Sequence, residues 1–261
     1  MTFAATLVGL LRAAVFGGAL VALAACQTTS ATGRGKASGA DNLQEALLQS
    51  ANEAVIVNNY AAAAGAYARL VEQRPDDPAV MAGFIRYMRY ADRAGEVVAF
   101  VDAQGADAIA DPGVRFEYAK AMLSAGRASE ALSRLRELMD VAAEDWRLHS
   151  ALGVAHDALG DFERAGQAYV QALRLSPDNA VVLNNLAMSQ AMAGDIDAAV
   201  ASLEKAAALD RKRANIRQNL ALMYAIKGDV ERARTLSAMD LDAGEVDANL
   251  SFYRRFEGAR P

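Results

Sequence analysis

The second half of the chain alternates apolar stretches of helical spacing with short polar turns. Between residues 146 and 179, positions spaced at i, i+3, i+4 and i+7 predict one face of a first helix. These positions are His149, Leu152, Gly153 and His156. Gly160 and Asp161 predict a turn, because glycine tolerates a positive φ and aspartate can cap the next helix. Pro177 ends the second helix, whose small and aromatic positions are Ala165, Tyr169 and Ala172.

This helix–turn–helix pattern repeats every 34 residues. Three sets of residues superpose at that spacing: Leu152-Gly153, Leu186-Ala187 and Leu220-Ala221; Gly160-Asp161, Gly194-Asp195 and Gly228-Asp229; and Ala165, Ala199 and Ala233. A fixed period of this size is typical of stacked helical arrays. Extended upstream, the period divides the chain into frames 44–77, 78–111, 112–145, 146–179, 180–213 and a truncated one from residue 214.

The second frame departs from the pattern. Gly95 lies three residues past the expected turn, and Val97 replaces the small alanine. We therefore expect degenerate repeats over 42–111 and well-formed repeats over 112–244. A capping helix and tail are expected over 245–261, with a helical face formed by Leu250, Tyr253 and Phe256.

The pattern of small and large residues resembles the tetratricopeptide repeat. In the fourth frame it consists of Leu152-Gly153, His156, Gly160, Ala165, Tyr169, Ala172 and Pro177. The tryptophan usual in the family's first helix is absent, and Arg211 stands where the family has proline. The resemblance implies an all-α solenoid of about six such helix–turn–helix units with a C-terminal capping helix.

The N-terminus has the features of an export signal. Residues 13–25 form an apolar run of 13 residues, which is shorter than the roughly 20 that a membrane span needs. The run ends in Leu23-Ala24-Ala25-Cys26, which resembles a bacterial lipobox. We expect a lipoprotein signal peptide over 1–25, a lipid on the Cys26 thiol, and a flexible tether over 26–41. Two alternatives stay open: one span that includes Arg12, and an unmodified thiol beside an ordinary cleavage site.

Composition and charge narrow the chemistry. The 261-residue chain has a net charge of −5, which argues against nucleic acid as the main partner. One Cys and two His exclude a disulfide framework and a Cys-rich zinc site. His149 and His156 are ~10 Å apart along one helix, too far to share a metal, and are expected to be packing residues. Ser150 and Asp157 lack a nucleophile-elbow context. We expect no enzymatic activity, metal, small-molecule substrate or cofactor other than the covalent lipid on Cys26.

Repeat geometry indicates a candidate peptide-binding groove on the first helices of the last three frames. Its residues are Arg147, Ser150, Val154, Asn184, Asn185, Met188, Met192, Gln218, Asn219, Leu222 and Ile226. Methionine and leucine adapt to apolar side chains, and amides can satisfy a peptide backbone. An alternative for Asn185 and Asn219 is that they only bond neighbouring helices.

The lipobox, the tether, the repeats and the C-terminal stretch Asp240-Leu241…Asn249-Leu250…Tyr253 together resemble the TadD lipoprotein family of the Flp/Tad pilus assembly machinery. The resemblance implies a lipid-anchored, non-enzymatic scaffold, at the outer membrane and facing the periplasm. Its expected partners are the pilus secretin or other Tad components. Two alternatives remain: an envelope adaptor that recruits proteases or cell-wall hydrolases, and a subunit for β-barrel assembly.

Overall fold

In a computed structural model, the structure describes residues 39–105 and 109–253. All regular elements in these ranges are α-helices, which confirms the predicted all-α fold. They are α1 Gly39–Ile56, α2 Tyr60–Gln73, α3 Pro78–Tyr90, α4 Ala94–Ala103, α5 Pro112–Ser124, α6 Ala128–Glu137, α7 Met139–Ala142, α8 Trp146–Ala158, α9 Phe162–Leu175, α10 Ala180–Met192, α11 Ile196–Leu209, α12 Ala214–Lys227, α13 Val230–Ser237 and α14 Ala243–Tyr253.

The 34-residue period is kept by the backbone as well as by the sequence. One residue in the turn inside each helix–turn–helix unit has a positive φ, and these residues follow one another at the repeat spacing: Asn58, Asp92, Gly126, Gly160, Gly194 and Gly228. In four of these turns the next residue, Asn59, Asp161, Asp195 or Asp229, caps the following helix by accepting a hydrogen bond from a backbone N–H. These caps satisfy N–H groups that a helix start otherwise leaves unpaired.

The second frame is regular in geometry although its sequence is irregular. Asp92 adopts the left-handed turn conformation with φ 60°, and Gly95 lies inside α4. The turn therefore lies at the position expected from the 34-residue spacing and not at Gly95. Val97 is fully buried, as are its counterparts at the repeat spacing, Ala63, Ala131, Ala165, Ala199 and Ala233. Aspartate is among the few residues that tolerate this conformation, which explains how the frame keeps its length.

The chain divides into two compact units at Val141. In the N-terminal unit, helices α1 to α6 pack against their neighbours in sequence, and α3 also contacts α5. Leu70, Ile85 and Val97 are fully buried in its core. Within this unit, α3 and α5 are the first helices of consecutive repeats and lie side by side.

In the C-terminal unit, helices α8 to α13 form three helix–turn–helix pairs. The first helices lie side by side, since α10 contacts both α8 and α12. Helix α14 packs against α12 and α13 and buries Val246 and Leu250 in the same core as Leu203 and Met223. It therefore caps the end of the array; Phe256, predicted on its face, lies outside the described residues.

Candidate functional site

The candidate groove lies on the C-terminal unit, on the face formed by the first helices α8, α10 and α12. The 34-residue repeat places equivalent side chains of these helices beside one another. The three helices carry Arg147, Ser150 and Val154; Asn184, Asn185, Met188 and Met192; and Gln218, Asn219, Leu222 and Ile226, respectively. The structure thus brings all the predicted residues onto neighbouring helices, at different depths.

Two of the apolar residues are not accessible. Met188 is 6% exposed and Ile226 is 7% exposed, and both belong to the main core of the C-terminal unit. Met192 and Leu222 are half-buried and pack against that core. This corrects the expectation that Met188 and Ile226 line an open apolar strip. The repeat pattern predicts which face of the helix a residue occupies, but not how deeply its side chain is buried.

The amide side chains form internal hydrogen bonds. Asn219 Nδ2 on α12 donates to Asn184 Oδ1 on α10 at 2.8 Å. Asn184 Nδ2 in turn donates to Asn185 Oδ1 at 3.5 Å. The Asn219–Asn184 bond supports the alternative that Asn219 joins neighbouring helices, and it leaves the half-buried Asn185 at the end of the amide chain.

Gln218 is tied to the turn after α13. Its Nε2 donates to Asp240 Oδ2 at 3.0 Å and approaches the Ser237 carbonyl oxygen at 3.4 Å. These contacts hold the side chain over the turn between α13 and α14. A ligand would therefore meet an amide that is already fixed in place, which reduces the side-chain entropy lost on binding.

The α8 end of the groove is the more exposed end. Val154 is 37% exposed, and Arg147 is exposed beside Trp146, with its guanidinium 5.3 Å from the centre of the indole ring. Ser150, which lies between these two residues in the sequence, is buried. The accessible surface of the groove is thus composed of the exposed Arg147 and Val154 together with the half-buried Asn185, Met192, Gln218, Asn219 and Leu222.

A half-buried carboxylate joins the fourth and fifth repeats. Asp157 on α8 accepts a 2.8 Å hydrogen bond from Tyr169 Oη and a 2.6 Å bond from Ser189 Oγ. Burial raises the pKa of Asp157 to about 6, although both hydrogen bonds act in the opposite direction. The sequence pattern excludes a catalytic role for Asp157 and predicts no other role. In the structure Asp157 faces the next repeat, where Ser189 hydrogen-bonds to it.

The two histidines have separate surroundings. His156 is buried, with Nδ1 3.6 Å from Asp161 Oδ2, and His149 Nε2 lies 2.7 Å from the Ala143 carbonyl oxygen. Over residues 39–105 and 109–253, no three His, Cys, Asp or Glu side chains converge as metal ligands would. The helices in those ranges also include none long and apolar enough to span a bilayer. Cys26 lies outside the described residues.

Comparison with known proteins agrees with this architecture. Two sequence profiles of the tetratricopeptide repeat match residues 146–179 and 168–201, which cover α8 to α10 and the start of α11. Residues 146–201 are therefore similar to tetratricopeptide repeats. The chain has no significant sequence match among curated proteins.

Two solved structures resemble the chain in fold. One is a thermophilic tetratricopeptide-repeat protein from Thermus thermophilus, with a TM-score of 0.51 and 21% identity over 83% of this chain and 98% of the other. A chain of the APC/C hetero-tetramer has a TM-score of 0.58 and 16% identity, over 79% of this chain and 46% of the other. At these identities the likeness shows the fold alone. Tetratricopeptide repeats in general provide extended concave surfaces for protein interactions.

Proposed function

We propose that the chain is a lipid-anchored, non-enzymatic scaffold whose candidate groove binds a protein partner during Flp/Tad pilus assembly. The observation that carries this proposal is the set of accessible side chains on adjacent first helices. Val154 and Leu222 offer apolar contacts, and Asn185 offers an amide beside them. Apolar side chains and a backbone-bonding amide in one strip suit an extended or helical peptide segment.

The proposed partner is the pilus secretin or another Tad component. This choice is supported by the resemblance of the lipobox, tether and repeats to the TadD lipoproteins. A lipid on Cys26 would hold the repeats at the outer membrane, facing the periplasm. The partner would then meet the groove in the same compartment in which a secretin assembles.

Deletion of the gene tests this function and separates it from the other envelope roles. The proposal expects normal growth, absence of surface pili, and loss or mislocalisation of secretin multimers. A growth defect with depleted outer-membrane β-barrels would instead indicate a β-barrel assembly subunit. Normal pili with altered cell-wall or protease activity would indicate an adaptor, and either result would contradict the proposal.

A further inference from the structure

A cluster of charged side chains on the N-terminal unit has more positive than negative groups. Glu117 on α5 has a side chain that is only 5% exposed, and three cations surround it. Arg86 Nη2 lies 3.0 Å from Glu117 Oε1, Lys120 Nζ lies 3.1 Å from the same oxygen, and Arg89 Nη2 lies 3.6 Å from Oε2. We call Arg86, Arg89, Lys120 and Glu117 the basic cluster; one carboxylate neutralises only one of its three cations.

Arg89 contributes charge without a matching hydrogen bond. Its Nε and Nη2 atoms are buried and have no hydrogen-bond partner among the residues that the structure describes. Its side chain is 14% exposed, and its guanidinium lies 4.4 Å from the centre of the Tyr90 ring. A buried donor without an acceptor is unfavourable, so Arg89 adds positive charge that Glu117, 3.6 Å away, does not pair through a hydrogen bond.

The cations also repel one another. Burial and the nearby Arg89 charge lower the pKa of Lys120, and the Glu117 carboxylate only partly compensates. Arg86 is the accessible member, with 43% of its side chain exposed. A negatively charged ligand can therefore reach the cluster through Arg86 and relieve the repulsion.

Two aromatic rings, Phe116 and Tyr90, lie beside cations of the basic cluster. Lys120 Nζ lies 5.0 Å from the centre of the Phe116 ring, and the exposed Tyr90 packs against Tyr60 at 5.2 Å between ring centres. Tyrosine and phenylalanine offer large contact areas to apolar groups next to a charge. An acidic peptide segment that also contains apolar residues would match this surface, with carboxylates for the cations and apolar side chains for the rings.

We infer that the basic cluster is a second docking site, separate from the candidate groove, that binds an acidic segment of a protein partner. Charge complementarity favours a ligand with carboxylate side chains. Two such carboxylates would balance the two positive charges that Glu117 leaves uncompensated. Electrostatic contacts of this kind speed association and select partners by charge. The apolar residues of the same segment would contact Tyr90 and Phe116.

Fluorescence anisotropy with the full chain tests this inference. The probe is a labelled peptide rich in Asp and Glu, interspersed with Leu and Gly, acetylated and amidated so that its ends carry no charge. Arg86→Gln should weaken binding about tenfold, because it removes the accessible cation. The matched control is Arg93→Gln, an exposed arginine of the same unit that pairs with Glu96 at 2.8 Å, and it should change the affinity less than about twofold.

Glu117→Gln gives a second, opposite test. Removal of the internal carboxylate leaves all three cations for the ligand, so binding should tighten about threefold or more, provided that circular dichroism shows an intact fold. Equal affinities for Arg86→Gln and Arg93→Gln, or weaker binding by a folded Glu117→Gln protein, would overturn the inference. Phosphatidylglycerol vesicles captured through Arg86, with no binding of the peptide, would likewise overturn it in favour of a lipid surface.

Discussion

Ser189 donates a 2.6 Å hydrogen bond to Asp157 across two consecutive repeats. The bond joins α8 to α10, and Tyr169 of α9 donates to the other carboxylate oxygen. One side chain therefore connects three helices of the C-terminal unit. Since folding raises the pKa of Asp157, its ionisation affects the stability of the unit that carries the candidate groove.

The stability of the protein should depend on the protonation of Asp157. Its pKa is raised to about 6 in the folded state, so between about pH 4 and pH 6 the folded chain holds a proton that the unfolded chain has lost. The free energy of unfolding should fall as pH rises through this window. Asp157→Asn keeps an acceptor without the charge, so its stability relative to wild type should rise by roughly 2 kcal/mol between about pH 4 and pH 7.

Urea denaturation of both proteins at the two pH values measures this difference. The comparison between them removes the pH dependence of all other groups that do not interact with Asp157. A stability difference that is the same at both pH values would contradict the assignment of a raised pKa.

Gly153 should be intolerant of a side chain. A Cβ atom at this position would lie 2.6 Å from Tyr169 Cε1, and the Tyr169 ring is fully buried and cannot move aside freely. Gly153→Ala should therefore destabilise the protein by about 1–3 kcal/mol in chemical denaturation. Gly166→Ala is the matched control: it lies inside α9 with nothing within 4 Å of its Cβ, so it should stabilise by about 0.5–1 kcal/mol. Similar effects of the two variants would contradict the described packing.

Asp92 should be replaceable by glycine with a gain in stability. It occupies the left-handed turn position that glycine holds in the four later repeats. Asp92→Gly should raise the free energy of unfolding by about 0.5–1 kcal/mol, because it removes a Cβ from an unfavourable backbone conformation. Gly194→Val should lower it by about 1–3 kcal/mol, since a β-branched residue is strained at φ 93°. A loss of stability in Asp92→Gly would show that the second turn differs from the others.

Cys26 should carry the membrane anchor. Two or more acyl chains hold a protein stably on a membrane, whereas one chain binds only marginally. Cys26→Ser should therefore abolish lipid labelling and signal removal, which metabolic labelling with a fatty acid and gel mobility would detect. A Cys26→Ser protein that is still cleaved and still pelleted with membranes would contradict the lipobox interpretation.

The fold was predictable because one spacing determines it. Turn residues and small residues recur every 34 residues, and each repeat must bury its apolar face against the next. The same pattern predicted an irregular second frame, but only the sequence of that frame is irregular. Residue type at Gly95 and Val97 suggested a broken repeat, whereas the backbone keeps its register through Asp92.

The site was less predictable than the fold. Periodicity assigned the correct helix faces, but the burial of Met188 and Ile226 depends on contacts with neighbouring repeats that no single-repeat pattern contains. The basic cluster is not predictable from the sequence for a related reason. Arg86 and Glu117 are far apart in sequence and meet only because α3 and α5 pack side by side.

Co-purification of the secretin with groove variants tests the central claim most directly. Val154→Glu with Leu222→Glu places two charges on the accessible strip of the candidate groove. Its control, Val170→Glu with Leu209→Glu, places the same charges on exposed apolar positions of the second helices α9 and α11. The account predicts that the groove variant loses secretin and pili at normal protein levels, with at least about tenfold weaker binding, while the control retains both. Normal secretin capture by a folded groove variant would contradict it.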